Sequence, residues 1–155
     1  MIAEATERAV APGSPRQMYA RAVKPHEFQW LVDRVGCHLT PDAKGILVED
    51  SAGRIRACAV FDWWTANAAQ AHLAVDEPIA LRTLCAAAFP WFFDTIGYGV
   101  LLGFVQGANT RAIRLDKHLG FREVRRVVDG AAKGEDLVIL EMRRQDCRWL
   151  PRKVV

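Results

Sequence analysis

The chain has little of several things, and each shortage excludes something. It has no long apolar run: the longest, Leu84 to Phe93, is bounded by Arg82-Thr83 and Asp94. A membrane-crossing helix needs about 20 consecutive apolar residues, so neither a span nor a membrane partner is expected. It has four cysteines, Cys37, Cys58, Cys85 and Cys147, and no two form a Cys-x-x-Cys pair. The histidines do not join them at zinc spacing, so no metal site is expected. The cysteines read as reduced thiols of a cytoplasmic protein, two or three of them in the core. An excess of one charge is also missing. Lys and Arg number 21 against 18 Asp and Glu, and a net +3 is too small to argue for a nucleic-acid partner. The opening MIAEATER carries Glu4 and Glu7 without an apolar core, unlike a secretory signal.

What is present suits one globular domain in 155 residues, 51% hydrophobic and 25% charged. Residues 1–17 hold Ala11-Pro12-Gly13-Ser14-Pro15 and no hydrophobic period, and read as a mobile tail. From Met18 to Val155 the chain reads as a single domain with a C-terminal extension. The charge is uneven: residues 111–155 carry 12 basic and 7 acidic residues. Such a basic third suits a phosphorylated ligand or a solvated face.

Local patterns give an element order. Tyr19 to Val23 reads as a strand. Phe28, Leu31, Val32 and Val35 keep helical spacing after Pro25 and stop at Gly36. Gly45 to Glu49 and Arg54 to Trp63 read as a hairpin turning at Asp50-Ser51-Ala52-Gly53. Ala71 to Val75 is a short strand. Leu81, Leu84, Cys85, Ala88, Phe89, Phe92, Phe93 and Ile96 predict one helix from Pro78 to Gly97, with Pro90 inside it. Val100 to Val105 is an apolar run, as in a strand buried on both faces. Asn109 to Leu119 is a helix closed by Gly120. Phe121 to Val128 and Leu137 to Met142 are further strands, separated by Asp129-Gly130 and Gly134. The order β-α-β-β-β-α-β-α-β-β predicts a mixed α/β (α+β) fold around one central sheet, with a helical crossover between two parallel strands.

One segment is less generic. From Val100 it reads V-L-L-G-F-V-Q-G-A-N-T-R-A-I-R-L-D-K-H-L-G-F-R-E-V-R-R-V. A strand, then Asn109, Ala112, Leu115 and Gly120-Phe121 before another strand, resembles the second half of the GNAT acetyltransferase fold. That family's motif is N-x-x-A-x-x-L-(Y)-x-x-x-G-F. The tail E-M-R-R-Q-D-C-R-W-L also resembles GNAT-like proteins of phage and prophage genomes.

The resemblance implies two parallel strands, Ala71–Val75 and Val100–Val105, that splay apart. Acetyl-CoA would enter the gap, with its pantetheine amides on the freed backbone of Leu73 and Val75. Its pyrophosphate would sit at the start of the next helix, near Ala80, Leu81, Arg82 and Thr83, where unpaired amides and the helix dipole favour anions. Asn109, Arg111 and Ala112 would complete the cofactor site. The usual R/Q-x-x-G-x-G/A loop is replaced here by Glu77-Pro78-Ile79-Ala80-Leu81-Arg82-Thr83, without glycine.

The same resemblance frames the catalytic candidates. Asp116 stands where many GNATs place the tyrosine that protonates the departing thiolate. An ordinary aspartate titrates near 3.9 and serves only if burial raises that value. His72, on the strand lining the acceptor site, suits a general base. Asp62 is the alternative base, and beside Trp63 and Trp64 it could form a pocket for a cationic acceptor. The implied activity is acetyl transfer to a primary amine, on a small molecule or peptide, by direct attack. The alternative is a binding module that keeps the fold without catalysis. A homodimer through an exposed strand edge near the C-terminus is also compatible. Acceptor-side residues such as His38, Thr40 and Asp42 carry no code that names the amine.

Overall fold

The fold is given by a computed structural model that describes residues 17–151, so the expected N-terminal tail lies almost wholly outside the described residues. Strand β1 spans Met18–Ala22. A 3-10 turn, Pro25–Glu27, leads into α1, Phe28–Val35. Gly36 closes α1 in the left-handed conformation, and its N–H donates to the Val32 carbonyl. Strands β2 (Lys44–Asp50) and β3 (Ile55–Asp62) form the expected hairpin. Asp50 fastens its turn by accepting from the amides of Ala52 and Arg54 at 2.9 and 3.0 Å.

Strand β4 covers Ala68–Val75 and α2 covers Pro78–Pro90. Strand β5 is Val100–Gln106, α3 is Thr110–Leu119, β6 is Arg122–Ala132 and β7 is Glu135–Arg143. The order of elements is the one expected, but three boundaries differ. Strand β4 starts three residues before Ala71, because Ala68, Ala69 and Gln70 pair with β5. Polar Asn67 and small alanines hid that pairing. The long helix ends at Pro90 and continues as a π-helical turn, Trp91–Thr95. Proline has no N–H for the preceding turn and its ring crowds the carbonyl there, so the ladder widens instead of continuing. The Ile96 amide accordingly reaches back five residues, to Trp91. The last hairpin turns at Lys133-Gly134, so of the two expected breaks Gly134 holds and Asp129-Gly130 falls within β6. Asp129, itself at φ +56°, holds that turn by accepting from the Gly134 amide.

Seven strands make one sheet in the order β1-β2-β3-β4-β5-β7-β6. Strands β4 and β5 run parallel and every other neighbouring pair is antiparallel. Helices α2 and α3 cover one face, where Phe61, Leu84, Phe89, Phe92, Leu101, Ile113 and Leu140 share a core. Helix α1 covers the other face with Leu31 against Leu47, Cys58, Val60 and Ala74. All four cysteines are free thiols. Cys58 and Cys85 are buried, and burial pushes both thiols up to about 12, which leaves them unreactive. No helix among the described residues is long and apolar enough to cross a membrane.

Candidate active site

The site begins where a ladder stops. Strands β4 and β5 pair only at Ala68–Val100, Ala69–Leu101 and Gln70–Leu102. From Ala71 to Val75, β4 pairs with β3 alone, and from Gly103 to Gln106, β5 pairs with β7 alone. The two strands therefore splay from Ala71 on β4, as the resemblance implied, but on β5 only from Gly103, because Val100 to Leu102 are still paired. Along each inner edge alternate backbone amides and carbonyls face a cleft with no strand opposite. An extended ligand with amide groups can satisfy them as an added strand would.

Two groups flank the start of this cleft on opposite faces. His72 lies two residues beyond the last β4–β5 pair, on the α1 face with Ala74. Its Nε2 is 2.8 Å from Asp62 Oδ1, and both side chains are buried. The second carboxylate oxygen of Asp62 accepts from the Thr40 amide at 3.0 Å. Thr40 Oγ1 accepts from the Trp63 amide and donates to Asp42. The α1–β2 connection thus clamps the end of β3. A buried carboxylate with partners on both oxygens is held firmly enough to fix the ring of its neighbour. The sequence offered His72 and Asp62 as alternative bases; they are bonded members of one unit.

The expected Asp62–Trp63–Trp64 pocket does not form as a unit. Trp64 turns into an aromatic cluster with Phe61, Trp91, Phe92 and Tyr98, and its indole N–H donates to the Phe61 carbonyl. Trp63 alone faces solvent, 64% exposed, with its backbone at φ +52°. A bulky residue in that region is strained. The strain is held by the Thr40 hydroxyl at its amide.

Asp116 approaches from the α2–α3 face. Its Oδ2 lies opposite Gly103, 3.6 Å from where a β-carbon there would sit. Gly103 is the first residue of β5 past the last pair with β4, so the carboxyl stands at the start of the cleft. Lys117, the cation that could have answered Asp116, turns to Glu123 instead, at 3.5 Å. Burial alone drives the Asp116 carboxyl up to about 7. This is the condition under which an aspartate holds a proton at neutral pH. Gly103 was the overlooked signal: a lone glycine inside an apolar strand marks a close approach.

At the far end of the cleft, Asn109 caps α3, its side chain accepting from the Ala112 amide at 3.1 Å. Arg111 in the following turn is exposed. Helix α2 starts from Glu77 without a side-chain cap. The side chain of Ala80 is buried, and its amide already donates to the Glu77 carbonyl. Pro78 has no N–H, so this turn offers fewer amides than a glycine-rich loop would. Leu73, Val75 and Leu81 pack against the core, so the first two can serve a ligand only through their backbone. Thr83 is half-buried and Arg82 is exposed. The acids beside this turn are matched by cations. Asp76 takes both Nε and Nη2 of Arg34 at 2.8 Å, and Arg56 stands 4.0 Å from Glu77. Arg34 holds the Asp76 carboxyl below its usual range.

No protein-family model matches the chain, and no curated protein matches it significantly. Solved structures do. Mutant forms of the spermidine/spermine N-acetyltransferase of Vibrio cholerae superpose with a TM-score of 0.70 at 14% identity, over 89% of this chain and 100% of theirs. The same enzyme with manganese ions gives 0.65 at 14% identity, over 82% and 92%. A dodecameric structure of the spermidine N-acetyltransferase from that organism gives 0.67 at 14% identity, over 89% and 99%. Identity this low speaks for the fold alone. With a seven-stranded sheet split between β4 and β5, the chain has the fold of the GNAT acetyltransferases.

Proposed function

We propose that the protein is an acetyl-CoA-dependent N-acetyltransferase acting on a primary amine by direct attack. The observation that carries this reading is the splay itself, with the His72–Asp62 pair on one side of its start and the buried Asp116 carboxyl on the other. The splayed edges fit the cofactor's amides, and the first turn of α2 with Arg82 fits its phosphates, with fewer amide donors than usual. When bound, acetyl-CoA supplies an acetyl group activated as a thioester.

The chain's own residues supply the rest. An ammonium has no lone pair, so a base must accept its proton before attack. With Asp62 as a carboxylate, which can only accept, we assign the Nε2 proton of His72 to this bond, which leaves the basic lone pair of the neutral ring on Nδ1. Asp62 positions that ring and is not itself the base. Asp116, its carboxyl raised by burial to about 7 and so protonated in part at neutral pH, is the acid that a departing sulfur needs. Backbone amides of Leu73 to Val75 are the donors for a developing oxyanion. Asn109, Arg111 and Ala112 support the cofactor side.

A cytoplasmic setting fits four free thiols. Association through the exposed edge strand β6, where Val124 and Val128 stand open, fits a homo-oligomer. The structural neighbours named for spermidine make polyamines the first acceptors to try.

Thiol release from acetyl-CoA is the direct test, with spermidine and a lysine-containing peptide as trial acceptors. Amine-dependent release is expected, with the amine recovered as its acetamide. Acetyl-CoA binding with no release for any primary amine would favour the non-catalytic module, which the amide-poor α2 start also suits.

A further inference from the structure

Beyond the cleft, on the other side of β3, the structure holds a second concavity of about 550 Å³. Its walls are Ala22 and Val23 at the end of β1, Ile46 on β2, Phe28 on α1, and Ala87 and Trp91 around the end of α2. These are alkyl and aromatic groups, and the volume lies within the roughly 300–1,000 Å³ of small-molecule sites. Trp91 is fixed there by the π turn and by rings behind it, Phe61 at 5.7 Å and Trp64 at 6.3 Å. The wall is therefore preformed and need not be ordered by a ligand.

The rim carries two cations with different commitments. Arg21 is spent: it forms a two-pronged bond to Glu27 at 2.8 and 2.7 Å and reaches Glu49 at 3.2 Å. Lys44 pairs with no carboxylate among the described residues; its Nζ stands 5.8 Å from the centre of the Trp64 ring. The groove thus combines an apolar interior with one positive charge that faces an aromatic ring and no described carboxylate. We propose that it binds a small amphiphile with an apolar body and a single anionic head, the head meeting Lys44 and the body lying on Phe28, Ile46 and Trp91. A cationic amine suits this groove badly, and strand β3 lies between its β1–β2 walls and the β4–β5 cleft. The proposal does not rest on the acetyltransferase reading.

Octanoate is a suitable probe, with octylamine and acetate as controls, on the full chain without acetyl-CoA. Octanoate is expected to bind saturably, raising Tm and changing tryptophan emission. Acetate, which lacks the body, and octylamine, which reverses the head charge, should do neither. Lys44→Met keeps the stem and removes the charge, so it should weaken octanoate by about tenfold or more, the worth of a charge-assisted bond. Ala87→Trp should fill the groove and abolish binding. If that variant does not fold, Lys44→Met still decides. The proposal fails if octanoate does not bind saturably, as when the chain's first residues or a second copy cover the groove. It fails equally if octylamine binds as well, or if Lys44→Met leaves the affinity unchanged.

Discussion

Replacing Asp116 by asparagine is expected to stabilise the folded chain at pH 8 while slowing acetyl transfer. The two effects have one cause. Burial lifts this carboxyl from its ordinary 3.8 to about 7. Between those values the folded chain holds a proton that the unfolded chain has lost. Stability therefore falls as pH rises through that window, and above about 7 the folded state carries the full cost of a buried charge. Asparagine has no charge to bury. Its advantage in Tm should be largest at pH 8, smaller at pH 5, and absent below about pH 4, where both states of the wild type are neutral. Asparagine also has no acidic proton, so turnover should drop by roughly 10²-fold, the lower end of what a general acid contributes. Thermal unfolding at pH 8 and pH 5, beside a rate measurement, separates the parts. An asparagine variant less stable than wild type at pH 8 would show that the carboxylate has a partner and that its proton is not held by burial.

A second large effect is expected at His72. Alanine there is a poor test, because it leaves the Asp62 carboxylate buried without its partner. A buried acceptor left without its donor costs about 1–3 kcal/mol. His72→Gln keeps an N–H for Asp62 Oδ1 and removes the basic nitrogen. At saturating acetyl-CoA its kcat should fall by about 10²-fold or more, with the acetyl-CoA affinity unchanged. A kcat equal to wild type would remove His72 as the base and leave the Asp62–His72 pair a structural feature.

Much of this site is legible in the sequence, and the rest shares a physical origin. The run from Val100 to Phe121 announced its strand, capped helix and next strand through local chemistry: Asn109 as a cap, apolar residues at helical spacing and Gly120 as a stop. Local rules decide such features. The placement of the splay followed from the resemblance, and the register bears it out at Ala71. The failures are tertiary. Thr40 sits 22 residues before Asp62, and nothing near it predicts that its amide and hydroxyl hold the end of β3. The pairing of Arg34 with Asp76 spans 42 residues and answers an acid at the foot of α2 that the sequence left alone. Asp116 is the sharpest case. As a helix residue between Leu115 and Lys117 it reads as solvated or ion-paired. Its titration is instead set by burial opposite Gly103, which helical spacing does not reveal.

In the proposed complex acetyl-CoA lies in the cleft between β4 and β5 and takes the place of a missing strand. Hydrogen exchange with and without saturating acetyl-CoA tests it at the backbone. Alternate amides within Ala71–Val75, which face no strand, should slow markedly on addition of the cofactor. The amides of Ala68 to Gln70, already within the paired part of the ladder, should change little by comparison. Unchanged exchange across Ala71–Val75 at a concentration where acetyl-CoA demonstrably binds would contradict the claim and place the cofactor elsewhere on the molecule.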